Sequence, residues 1–175
     1  MDATADELAG VVDLFGGLTR AELERALSEA AFRADGRSVD GAAVDDAIEE
    51  AVESFALVRY ENENGGDGGG DGNEARNADG DREPLYVAGP TAFPTVPEYA
   101  EDVPHILDVD RRDIDREALG DAVRDRFVAA LESAVDDSGE NPDRIRELLD
   151  VSYDVEAWAP VDLSAERTRL EEALD

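Results

Sequence analysis

Residues 40–60, DGAAVDDAIEEAVESFALVRY, decide the fold because they join a helical pattern directly to a strand pattern. Asp40 suits the N-cap position of a helix, and the apolar residues after it recur every three or four positions. These residues are Val44, Ala47, Ile48, Ala51, Val52 and Phe55. Residues 56–60, ALVRY, then have the side-chain pattern of a half-buried strand. The stretch predicts a helix over 40–54 followed by a strand.

Two further helices are predicted on the N-terminal side. Thr4 with Glu7 and Thr19 with Glu22 have the three-residue spacing of a capping box, which marks a helix start. Gly residues at 16–17 and 36 mark the two helix ends. The apolar faces that follow from the helical spacing are Leu8, Val11, Val12 and Phe15 in the first helix, and Leu23, Ala26, Leu27, Ala30 and Ala31 in the second.

On the C-terminal side, a second strand is predicted after a low-complexity segment. Residues 61–83 contain seven Gly, eight acids and no large apolar side chain, so we expect a disordered loop. Residues 84–89, PLYVAG, then read as a strand, which makes an antiparallel hairpin with an insertion at its tip. Three helices followed by a hairpin is the order of a winged helix-turn-helix domain. Residues 1–60 and 84–89 are therefore predicted to form such a module, with the hairpin as its wing.

Residues 90–175 are predicted to form a proline-rich strap and a helical extension. A long helix begins after Asp115, and Asn141-Pro142 opens a short one that ends near Leu149. We expect Val151–Trp158 to be a strand or an extended segment, and Ser164 to cap a final helix. The predicted fold class is α+β and mostly helical.

Two longer stretches carry a resemblance to a known family. ADELAGVVDLFGGLTRAELERALSE and GPTAFPTVPEYAEDVPHILDVD resemble an uncharacterised family of small acidic haloarchaeal proteins. The resemblance covers most of the chain outside the Gly-rich loop. It implies no activity, cofactor or catalytic residue.

The composition is strongly acidic and uses one type of basic residue. The chain has 46 Asp and Glu against 16 basic residues, all of them Arg, and a formal net charge of −30. Acids outnumber arginines in each part of the chain, which differs from a single acidic binding tail. Because concentrated salt screens such repulsion, the composition predicts the cytoplasm of a salt-in halophile.

The sequence lacks Cys and Lys, which excludes several chemistries. Cysteine nucleophiles, thiolate metal sites, disulfides and lysine Schiff bases are impossible. No apolar run approaches the ~18 residues that span a bilayer, and the first residues do not have the pattern of a signal peptide. We therefore expect a soluble cytoplasmic protein with no membrane partner.

Direct DNA binding through the third helix is not expected. A recognition helix needs Arg or Lys for phosphates and Arg, Asn or Gln for base edges. Residues 41–54 contain none of these and five acids. The alternative basic surface comprises Arg20, Arg25, Arg33 and Arg37, although the acids among them favour ion pairs along a solvated helix face.

No catalytic, cofactor-binding or metal-binding residue is predicted. His105 is the only His, and without a second His or Cys we expect it to pack in an ordered loop. A general base or a metal ligand beside Asp102 and Asp108 is the functional alternative. No Gly-x-Ser-x-Gly elbow is present for a hydrolase nucleophile.

Five residues are the candidates for binding a partner. Arg111, Arg112 and Arg116 form the densest basic patch, and Phe93 and Tyr99 lie on the proline-rich strap. The alternative for the arginines is pairing with acids nearby in sequence, and the alternative for the strap is packing over the helices. We predict a non-enzymatic protein-interaction or adaptor module, with another protein or a second copy of the chain as partner. A transcription-associated DNA-binding winged-helix protein is the alternative.

Overall fold

A computed structural model describes residues 3–36, 39–61, 83–98, 100–107, 109–136 and 142–174. The chain divides into two compact units, Met1–Ile114 and Asp115–Asp175. Unit 1 therefore includes the proline-rich strap, which the sequence analysis grouped with the helical extension. A disordered loop is predicted at residues 61–83. All of it except its first and last residue lies outside the described residues.

Unit 1 begins with two helices whose ends follow from local sequence. They are α1 (Ala5–Phe15) and α2 (Arg20–Asp35), and both predicted capping boxes are present. The left-handed residues Gly16 and Gly36 (φ 75° and 67°) end the two helices, because glycine adopts positive φ without steric cost. The apolar faces predicted for both helices are buried.

A third helix leads into a small antiparallel sheet. α3 (Gly41–Glu53) starts after Asp40, whose carboxylate accepts the backbone N–H of Ala42 at 3.0 Å. β1 (Leu57–Tyr60) pairs antiparallel with β2 (Leu85–Ala88), with Leu57 opposite Ala88. Leu18 forms an isolated bridge with Tyr86 on the other side of β2. The predicted hairpin is confirmed, whereas the winged-helix assignment rests on element order alone and stays a prediction.

The strap crosses α1 by its backbone. The backbone N–H of Thr95 donates to the carbonyl of Asp6 at 3.0 Å. A Cβ added at Gly10 would lie 2.2 Å from the Thr95 carbonyl oxygen, so this position in the helix interior admits no side chain. After the strap come a 3₁₀ turn (Ala100–Asp102) and a short helix, α4 (Val103–Leu107), which packs against α2.

The core of unit 1 lies between the three longer helices and the sheet. Its largest fully buried side chains are Leu8, Phe15, Leu18, Leu23, Phe55 and Leu57. At roughly 25 cal/mol per Å² of buried apolar area, these side chains supply the main driving force for folding of this unit.

Unit 2 consists of α5 (Arg116–Asp136), α6 (Pro142–Trp158) and α7 (Ser164–Leu174). The long helix predicted after Asp115 is α5, and its buried face runs from Leu119 through Ala134, with Val135 half-buried. The prediction of a strand or an extended segment at Val151–Trp158 is wrong, because α6 continues to Trp158. Ser164 is the first residue of α7 rather than its cap, and the Asp162 carboxylate accepts its backbone N–H at 2.9 Å.

Candidate functional site

Phe93, the predicted aromatic on the strap, projects into solvent. Its side chain is 79% exposed, while its backbone N–H donates to a carboxylate oxygen of Asp6 at 2.9 Å. The strap is thus fixed to α1 through its backbone and leaves the ring accessible. Tyr99, the second predicted strap residue, lies outside the described residues.

Arg111 and Arg112 contact the corner between α1 and α2. Arg111 Nη1 donates to the carbonyl oxygens of Asp13 at 2.9 Å and Leu14 at 3.2 Å. Arg112 Nη1 donates to the carbonyl oxygen of Gly17 at 2.7 Å. Carbonyls in the last turn of a helix have no intrahelical partner, and arginine satisfies them here. Both guanidinium groups therefore bind the chain's own backbone.

Arg112 also forms a two-pronged ion pair with Glu22. Its Nη1 and Nη2 lie 2.8 Å from the two carboxylate oxygens, Oε2 and Oε1. This partner is not one of the acids nearby in sequence, since Glu22 precedes Arg112 by 90 residues. The Glu22 side chain is 18% exposed, so water weakens the pair less than it would at the surface.

The surroundings of Glu22 shift its acidity in two opposite directions. Burial alone would raise its pKa, but the hydrogen bonds from Arg112 and Thr19 outweigh burial and hold the pKa below its usual value. Glu22 is therefore ionised at neutral pH and helps to fix the segment that contains Arg112. The contacts of Glu22 with Arg112 and Thr19 stabilise the fold, and none of them indicates a bound ligand.

Arg116 belongs to unit 2, at the first residue of α5. Its Nη1 lies 3.5 Å from the carbonyl oxygen of Trp158. The described members of the predicted partner-binding set therefore lie in different places: Phe93 on the strap, Arg111 and Arg112 at the α1–α2 corner, and Arg116 in the second unit.

A groove between α2 and α4 is a candidate site that the sequence analysis missed. Its volume is about 640 Å³. Phe32 is 64% exposed and Ile106 is 39% exposed, so two large apolar side chains meet water here. The lining residues are Ala21, Glu24, Arg25, Ser28, Glu29, Phe32, Ile106 and Leu107. The sequence contains one signal for this groove, namely Phe32, a large apolar residue just outside the buried stripe of α2. No pattern in the sequence predicts α4 as a helix.

The rim of this groove is charged. Arg33 Nε lies 3.1 Å from Glu29, and its Nη1 lies 3.8 Å from Asp102. Glu24 lies 3.9 Å from Arg20. Arg25 is exposed and makes no ion pair or hydrogen bond with any residue in the described part of the chain. The groove is thus lined by apolar and charged side chains together, and Arg25 is the cation among its lining residues.

The outward face of α3 carries carboxylates. Asp46, Glu49, Glu50 and Glu53 are exposed, and Asp45 pairs with Arg20 of α2. Duplex DNA presents about one negative charge per 1.7 Å of its axis, so this face repels it.

His105 is exposed on α4, and the expectation that it packs in a loop is wrong.

Unit 2 has a smaller open cavity of about 360 Å³ beside the start of α7. Arg124 Nη2 lies 3.1 Å from Oε1 of the buried Glu166. Hydrogen bonds from Ser164 lower the pKa of Asp162 on the same wall.

Among the described residues no group of three or more His, Asp or Glu is arranged to hold a metal ion. None of the described helices is both long enough and apolar enough to cross a membrane.

Comparison with known proteins places the chain in a family. No curated protein and no solved structure gives a significant match to it. The sequence profile of a family of unknown function, DUF7109, matches residues 6–175. The predicted membership of an uncharacterised family is thereby confirmed, and since the match covers nearly the whole length, the chain belongs to the DUF7109 family of unknown function.

Proposed function

We propose that this protein is a non-enzymatic protein-interaction module of a high-salt cytoplasm, which binds its partner through the groove between α2 and α4. The observation that carries the proposal is the 64% exposure of Phe32 beside the exposed Ile106. Completing their burial against a partner would add part of the roughly 1.5–3 kcal/mol that full burial of a large apolar side chain contributes. Single exposed apolar residues are ordinary, but here two of them line one groove together with polar residues, which is the arrangement of an interaction site.

The layout of the groove supports protein as the partner class. Binding energy at protein interfaces concentrates in aromatic and Arg side chains near the centre, surrounded by polar residues that exclude water. Phe32 and Arg25 are residues of those types, and Glu24 and Glu29 lie beside them on the rim. The groove is open to solvent, which suits the side chains of a helix better than a small molecule enclosed on all sides.

The charge supports the high-salt setting. A net charge of −30 on 18.8 kDa destabilises a compact chain in dilute salt. At about 1 M salt the Debye length falls to roughly 3 Å, and the repulsion between surface carboxylates is largely screened. Acidity then reflects the solvent and does not select a basic partner.

Direct DNA binding is the second candidate, and one observation favours it. Leu18 pairs with β2 on the side opposite β1, which adds a third strand position to the winged-helix order of elements. The exposed carboxylates of α3 oppose it, because α3 would have to approach the phosphates. We therefore rank the interaction module first.

The groove is tested by affinity purification at molar KCl from a lysate of the source cells, with retained proteins identified by mass spectrometry. Phe32→Asp should lose the specific partner that the wild type retains. Phe93→Asp is the matched control, because Phe93 is equally aromatic and more exposed, at 79%, but lies on the strap. Loss of the partner in Phe93→Asp alone would move the site to the strap. Equal retention by all three proteins would contradict both surfaces.

A further inference from the structure

We propose that the groove between α2 and α4 binds a second copy of this chain, with the two α2 helices antiparallel about a two-fold axis near residue 27. This inference rests on the proposed function in one respect, namely that the groove is a docking surface. It goes further because it names the occupant and the register in which the occupant binds.

The residues that α2 contributes to the groove form one continuous stripe. Their spacing is i, i+3, i+4, i+7, i+8 and i+11, which places them on a single helix face. In chain order they are Ala21, Glu24, Arg25, Ser28, Glu29 and Phe32. The stripe contains a cation, two acids, a large ring and a small side chain on one accessible face.

The charges of the stripe are self-complementary when it is read in the opposite direction. Arg25 lies two residues before the proposed axis, and Glu29 lies two residues after it. In an antiparallel pair, Arg25 therefore lies opposite Glu29 of the partner subunit, and the same pairing occurs a second time by symmetry. Arg25 has no ion pair or hydrogen bond with another described residue, and this contact gives it a partner.

The side-chain sizes are self-complementary in the same register. Phe32 lies five residues after the axis and Ala21 six residues before it, an axial difference of about 1.5 Å. The ring of Phe32 thus lies opposite Ala21 of the partner subunit, where the small side chain leaves room. Ile106 and Leu107 on α4 line the same groove and supply apolar contacts beside the ring.

The salt dependence separates this occupant from a basic helix of another protein. Two copies of a chain with net charge −30 repel each other, so screening strengthens their association. Apolar contacts between them are not weakened by KCl. A basic helix would be attracted to the acidic chain, and its binding would weaken as salt rises. Association that increases with KCl therefore excludes a basic helix, and the self-association measured below identifies the occupant as a second copy.

The experiment is sedimentation equilibrium of the full chain at about 1 M and about 3 M KCl, with far-UV circular dichroism to verify folding. The wild type should form a dimer that tightens with KCl. Arg25→Glu and Glu29→Arg should each weaken it about tenfold, because each breaks two pairs. The double variant, which exchanges the two charges, should recover to within about threefold of the wild type.

Two controls account for net charge, and one further variant addresses the ring. Arg59→Glu and Glu49→Arg make the same charge changes at exposed positions on β1 and α3, and should leave the dimer unchanged. Phe32→Asp should abolish it. If Phe32→Asp does not fold, Ala21→Arg fills the space opposite the ring from an exposed position and should abolish the dimer as well.

The possible results are decisive. A wild type that is monomeric at both salt concentrations overturns the inference. So does a dimer that survives Phe32→Asp and Ala21→Arg, or single charge reversals that the double variant does not rescue. A monomeric wild type that still loses a retained protein on Phe32→Asp would overturn the second copy alone and leave the groove's docking role standing. A dimer sensitive to Phe32 and Ala21 supports both.

Discussion

Glu22 makes two contacts, one with the cap of its own helix and one with a residue far away in sequence. Its carboxylate accepts the backbone N–H of Thr19 at 2.8 Å in the capping box, and it also pairs with Arg112. The first contact was predictable, because it depends on a spacing of three residues. The second was not, because Glu22 and Arg112 meet only after the strap and α4 have brought the chain back to α2. Local chemistry is visible in sequence, whereas long-range pairing depends on the path of the backbone.

The depressed pKa of Glu22 makes its contribution to stability depend on pH. A group with a folded-state pKa below its unfolded value stabilises the fold above the unfolded value, about 4.3, and loses that contribution as pH falls through the folded value. Glu22→Gln should therefore lower the free energy of unfolding by about 1.5–3 kcal/mol at neutral pH. The gap to the wild type should narrow as the pH falls below about 4.3.

Urea unfolding at molar KCl, followed by circular dichroism at several pH values, measures this gap. Glu49→Gln on the exposed face of α3 is the control, with an expected effect within about 0.5 kcal/mol. Unfolding free energies that differ by the same amount at every pH would show that ionisation of Glu22 adds nothing to the fold.

At the scale of elements, helices with local end signals were predicted and those without were not. α1, α2 and α3 begin with caps and have regular apolar spacing, so their positions followed from the sequence. The strand or extended segment expected at Val151–Trp158 is instead the second half of α6, although its Val151 and Val155 are β-branched residues that favour strands. Both lie on the buried face of α6 that begins at Ile145, so tertiary packing here overrides a weak local propensity.

The groove between α2 and α4 also depends on tertiary packing that local sequence does not indicate. Phe32 was detectable as a large apolar residue beside the buried stripe of α2. Its neighbour across the groove, Ile106, lies on α4, which has five residues and no capping signal. Helices this short are marginal in isolation and form because they pack on something else. The groove could not be predicted before the packing of α4 against α2 was known.

The charge on α3 gives a direct prediction about DNA. Changing Asp46, Glu49 and Glu53 to Arg converts its exposed face from carboxylates to guanidinium groups. The triple variant should bind a duplex weakly and without sequence preference, and more tightly than the natural protein does under the same conditions. Each phosphate contact should steepen the dependence of log K on log salt by about 0.9. Fluorescence anisotropy with a labelled duplex, titrated with KCl, measures both effects.

The control for this experiment is a triple reversal elsewhere. Asp121, Asp125 and Glu132 are exposed on α5, and changing them to Arg alters the net charge equally. If this variant binds as well as the α3 variant, net charge alone explains the result. Duplex binding by the natural protein that is lost when Asp46 or Glu49 is changed would favour the DNA-binding alternative.

At the scale of the whole molecule, the net charge of −30 predicts that the folded state requires salt. Unfolding separates the carboxylates, so unscreened repulsion favours the unfolded chain, and screening removes that advantage. The melting temperature should rise with KCl, and helicity should fall when salt is removed. Calorimetry and far-UV circular dichroism on a KCl series measure both.

Sucrose at equal osmolality is the control, because it is excluded from the protein surface but screens no charge. Phe32→Asp should show the same KCl dependence if screening acts within each chain, whereas a smaller dependence would assign part of it to the dimer. Full helicity and a constant melting temperature without added salt would contradict the proposed adaptation.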